Sequence, residues 1–157
     1  MEFSQFIFEA EEEEKNVLAL LKNLPKNHAA LMKGFKFEYI PGNTLDGDDA
    51  HIGSIQGKKV TIAGPWRYGR EFTTLHEIAH QIYEKLVDKK LRKEWSDLVA
   101  KTKKSQIATI EKKGIEANAL NQNDEEIFCM IYAATYSGHP PLIWYNPEWT
   151  KFIKNLP

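Results

Sequence analysis

Leu75-His76-Glu77-Ile78-Ala79-His80 is the stretch on which the reading of this 157-residue chain turns. It has the form H-E-x-x-H inside a segment with helical periodicity. On an α-helix, residues four apart lie one turn apart on one face, so His76 and His80 can offer ring nitrogens to a single metal ion. Glu77 stands one step around the helix, where a carboxylate can act as general base toward a metal-activated water without ligating the ion itself. Advancing about 100° per residue from His76 places Leu75, Ile78, Ala79, Ile82 and Leu86 in one apolar sector, the core-facing stripe of a packed helix. His76, His80, Tyr83 and Val87 fall on a separate face. The pattern predicts a helix from about Arg70 to Val87.

Upstream, Val60-Thr61-Ile62-Ala63 reads as a strand ended by Gly64-Pro65, and His51 to Lys58 as a strand and tight turn that form a hairpin with it. Phe35 to Ile40 alternates like a further strand and is stopped by Pro41-Gly42-Asn43. Before it, Glu9 to Leu24 has acidic first turns and a buried face of Val17, Leu18, Leu20 and Leu21, which predicts a helix ended before Pro25. Downstream, Leu91, Trp95, Leu98 and Val99 mark a helix from about Lys90 to Lys104, and a polar loop covers Gly114 to Asn123. Asp124 to about Tyr136 forms the last long helix, stopped by Gly138 and His139-Pro140-Pro141. Pro147 to Asn155 is expected as a short helix that packs Trp149, Phe152 and Ile153 on the body. The chain is therefore expected to be α+β and one domain, with a helix and a small sheet over about 1–70 and the helical part over about 71–157.

With 42% hydrophobic and 27% charged residues, and no apolar run near the roughly 18 residues a membrane span needs, no membrane partner is expected. A net charge of −1 gives no basis for nucleic-acid binding. The lysine-rich stretch Lys85 to Lys113 is interleaved with Asp88, Glu94, Asp97 and Glu111 and reads as a solvated helix face. A monomer is expected. Cys129 is the sole cysteine, which excludes an intramolecular disulfide and a cysteine-based zinc site, so any metal rests on His and carboxylate. Asp46-Gly47-Asp48-Asp49 lacks the later ligands of a calcium loop. Met1 to Glu9 lacks the basic start and long apolar middle of a secretory signal; a cytoplasmic protein is expected, or a secreted one if a leader has been removed.

A catalytic zinc takes three protein ligands and a water, so the motif needs one more donor. His28 and His51 precede it, and His139 lies beyond the last helix. Glu116 in the loop and Glu125 or Glu126 at the start of the last helix are better placed. Glu126 shares a helix face with Met130, Ala133 and Ser137, and Glu125 with Cys129, Tyr132 and Tyr136. The small Ala133 and Ser137 let two helices approach closely, which favours Glu126 without choosing it.

Thr74 to Gln81 together with Asn123-Asp124-Glu125-Glu126-Ile127-Phe128 resembles the metallopeptidases related to the anthrax lethal factor catalytic domain and to the Pro-Pro endopeptidases. The likeness extends to the strands and to Asn146-Pro147 with Phe152-Ile153. It implies a zincin-like fold, with a small, twisted, mostly antiparallel sheet, an active-site helix, and a mainly helical C-terminal part. It also implies one Zn2+ held by His76, His80 and Glu126, the last in an N-x-x-E-F-F-type motif, 126 − 80 = 46 positions after the second His. Glu77 is then the general base in hydrolysis of a protein or peptide substrate, which adds as a strand along a sheet edge, for which His51–Gln56 is nominated. Two positions depart from the pattern: Met130 stands where the family tends to have a second Glu, and Ala119 where it tends to have an oxyanion-stabilising Tyr. Loss of such a donor costs about 2.7–4 kcal/mol of barrier. Tyr136 is assigned that role, with Tyr132, Tyr68, Arg67 and His139 as substitutes. Glu116-Ala117-Asn118 also resembles the third-ligand motif of regulatory, repressor-cleaving metallopeptidases, which would place Glu116 on zinc. The remaining alternative is a zincin-fold binding module without effective turnover.

Overall fold

The computed structural model describes residues 15–40, 53–63, 68–138 and 140–157. Its architecture is mixed α+β and mostly helical, and the chain divides into two compact units, Met1–Glu77 and Ile78–Pro157.

In the first unit, helical turns over 15–22 (α1) bury Val17 and Leu20, and Leu24 just beyond them is buried too. Leu18, expected on that face, is 52% exposed. The earlier part of the expected Glu9–Leu24 helix lies outside the described residues. α1 stops ahead of Pro25, which is the N-cap of a second short helix, α2 (Lys26–Leu31), absent from the sequence-based expectation. A proline suits a helix start, where its missing N–H costs no intrahelical bond.

Three strands, β1 (Lys36–Ile40), β2 (Gly53–Gln56) and β3 (Lys59–Ala63), form one sheet in the order β1-β3-β2. β2 and β3 make the expected antiparallel hairpin. Its two-residue turn starts at Gly57, whose φ of +61° suits the primed hairpin turns and strains any residue with a Cβ. β1 runs parallel to β3, with Phe37 opposite Val60 and Tyr39 opposite Ile62. The expectation of a mostly antiparallel sheet is thereby corrected to a mixed one. The two-residue alternation of β1 is common to both pairing directions, and only the placement of β2 on the far edge of β3 decides the matter. Val60 and Ile62 are fully buried, while Lys59 is exposed and pairs with Glu38 at 2.7 Å.

α3 (Arg70–Leu86) carries the H-E-x-x-H run, and the division between the units falls within it. Leu75, Ile78, Ala79 and Ile82 have no exposed surface, as the apolar sector requires. The Thr74 hydroxyl donates to the Arg70 carbonyl at 2.8 Å. With that proton committed, the Tyr39 hydroxyl donates to Thr74 Oγ1, also at 2.8 Å, and ties β1 to the turn that precedes His76.

The second unit holds α4 (Lys89–Lys112), α5 (Asp124–Tyr136) and α6 (Pro147–Lys154), with 3-10 turns at Asn118–Leu120 and Leu142–Trp144. α4 runs two turns past the expected Lys104 because its buried stripe continues through Trp95, Val99, Thr102, Gln106 and Ile110. Gln106 earns its buried place by full pairing: its amide nitrogen donates to the carbonyls of Ile143 and Tyr145 at 3.2 and 3.0 Å, and its oxygen accepts from Asn146 at 3.1 Å. Asn146 in turn caps α6, accepting from the backbone N–H groups of Glu148 and Trp149. Trp95 packs edge-on against Phe128 and Trp149, joining the three helices in one aromatic core. Among the described residues, no helix is long and apolar enough to cross a membrane.

Candidate metal centre

The first turn of α5 is fixed by three bonds before it presents any side chain. Asn123 caps it by accepting from the backbone N–H of Glu126 at 2.8 Å. The Trp95 indole donates to the Asp124 carbonyl at 2.8 Å, and the Ser96 hydroxyl donates to the Asp124 carboxylate at 2.7 Å. Glu125 and Glu126 project from this anchored turn. Tyr83 of α3 meets Phe128 of α5 edge-on, with ring centroids 5.1 Å apart.

His80 Nε2 lies 3.2 Å from Glu126 Oε1. One ligand atom from each of His76, His80 and Glu126 lies within 4.8 Å of the other two, and all three side chains are half-buried. Two donors each 2.0–2.1 Å from a tetrahedral ion stand about 3.3 Å apart, so the His80–Glu126 spacing fits zinc, and an N,N,O donor set is one zinc accepts. Glu77, next to the first His, is 7% exposed. Glu125 Oε1 is 3.6 Å from the other ring nitrogen of His80, Nδ1. Glu116 is exposed, its carboxylate accepts a bond from the Asn118 amide, and it is outside the group.

Comparison with protein-family models, with curated proteins and with solved structures returned no match.

The tyrosines considered as oxyanion donors differ in their surroundings. Tyr136 follows Glu126 by ten positions on α5, about 15 Å along the axis. Its ring packs 4.8 Å from that of Tyr132, and burial raises its hydroxyl pKa. The helix thus sets Tyr136 well away from the turn that bears Glu126. Tyr132 is a core residue with no exposed surface. Tyr68 packs on Phe72 at 5.0 Å. Arg67, His51 and His139 lie outside the described residues, and His28 is buried in α2. The residues that sequence reasoning undervalued are Glu125 and Tyr83. Tyr83 shares the His face of α3, and its hydroxyl pKa is raised by burial, lowered by Arg92, whose guanidinium sits 4.6 Å from its ring centre, and raised further by Glu125. Its helical position beside His80 was the available signal.

Proposed function

We propose that this chain is a zinc-dependent metalloendopeptidase of zincin type, with one Zn2+ held by His76, His80 and Glu126. The observation that carries the reading is the convergence of these three donors within 4.8 Å, two of them one turn apart on α3 with Glu77 between. Bound there, a zinc ion supplies Lewis acidity, lowering a water's pKa toward neutrality and polarising a carbonyl. The chain's own groups do the rest. Asn123, Trp95 and Ser96 hold the α5 turn that delivers Glu126. Glu77 takes the proton of the attacking water and passes it to the leaving amine of a protein or peptide substrate. Among the described residues β2 is an edge strand, along which an extended peptide can pair through its main chain.

A second reading, a zincin-fold module that holds metal without turnover, draws support from the distance of Tyr136 from Glu126 along α5. Metal analysis combined with cleavage of a broad peptide library separates the two. The expected result is one zinc per chain in both wild type and Glu77→Gln, with cleavage by wild type and a loss of about 10²–10⁴-fold in the variant. Zinc in both proteins with equal inertness would leave the binding module and dismiss the peptidase.

A further inference from the structure

We propose that Glu125 is a positioning residue of the metal centre: its carboxylate accepts the Nδ1–H of His80 and so directs the bare Nε2 nitrogen at the ion. The inference rests on the His76–His80–Glu126 reading above. A neutral imidazole ligates through one nitrogen and carries its proton on the other, and the acceptor facing the protonated nitrogen decides which is which. His80 faces two carboxylates from consecutive residues. Glu126 Oε1 stands 3.2 Å from Nε2, and Glu125 Oε1 stands 3.6 Å from Nδ1. When Nε2 and Glu126 share an ion, the proton of His80 belongs on Nδ1, and Glu125 is the carboxylate within reach. A separation of 3.6 Å is beyond a direct hydrogen bond, and a shift of about 0.6 Å brings it to the usual length. The Glu125 side chain, 43% exposed, has room for that adjustment. Glu126 cannot serve both nitrogens, so the pair divides the work: one carboxylate for the metal, its neighbour for the imidazole.

The test measures zinc affinity of the full chain by competition with a chromophoric chelator, and the absorption spectrum of the Co2+-substituted protein. Glu125→Ala is expected to weaken zinc binding by about 10–100-fold and to shift the Co2+ bands, while the thermal unfolding midpoint of the metal-free protein falls only slightly, as loss of one first-turn carboxylate of α5 requires. Glu125→Gln, whose amide oxygen still accepts from Nδ1–H, is expected to recover part of that loss. Wild-type affinity and spectrum in Glu125→Ala would overturn the assignment alone. A wild type that takes up no zinc would overturn the metal reading, and this assignment with it.

Discussion

A carboxylate at the first turn of a helix has an ordinary use, which is to offset the positive end of the helix dipole. Glu125 and Glu126 both occupy such positions on α5, yet both carry an oxygen within 3.6 Å of one imidazole, that of His80. Glu116, the rival third ligand, instead engages Asn118 two residues on. Zinc should therefore survive dialysis in Glu116→Ala and be lost in Glu126→Ala, as read by metal content per chain; the reverse pattern would move the ligand to the loop. That His76 and His80 share one face of α3 with Glu77 between them was legible from spacing alone, because an i, i+4 pair on a helix has no freedom to diverge. The choice among three glutamates was not, since helical phase sets which face a residue occupies but not what stands opposite. Tyr136 shows the same limit. It lies on the same helix as Glu126, but ten positions of helical rise separate the two.

Element boundaries were legible where chemistry marks both ends. α5 begins at the Asn123 cap and stops before Gly138, whose φ of +80° suits glycine, and both limits match the expectation of Asp124 to Tyr136. α4 was truncated in the sequence because Thr102 and Gln106 interrupt its apolar stripe, and their burial depends on partners distant in the chain, such as Trp149 for Thr102 and Asn146 for Gln106. The parallel pairing of β1 was invisible for a different reason, its period being the same in either direction. The cap of α5 gives the element-level prediction. Asn123→Ala removes the acceptor of the Glu126 N–H and should lower stability by about 0.5–2 kcal/mol in chemical denaturation. Because that N–H belongs to the proposed ligand, zinc affinity should fall as well. A stability loss with unchanged affinity would show that the cap serves the helix and not the centre.

For the molecule as a whole, the buried Tyr132 and half-buried Tyr136 of α5 set an alkaline limit. Burial holds the Tyr132 hydroxyl far above the usual phenol range, with a further push from Tyr136, and burial likewise raises Tyr136. A folded-state pKa above the unfolded value of about 10 means the folded chain keeps its proton longer, so the stabilisation is complete below about pH 10 and drains away as pH rises beyond it. Urea midpoints should drop above about pH 10 in wild type and drop less steeply in Tyr132→Phe; parallel curves would contradict this. The same helix carries Cys129, the only thiol in the chain, with no exposed surface and three residues from Glu126. A modifying reagent therefore has a single target, reached only while α5 is transiently lifted from its neighbours. The helix that supplies the proposed ligand comes with its own clock, and the rate at which that sulfur is blocked converts into the free energy of its opening.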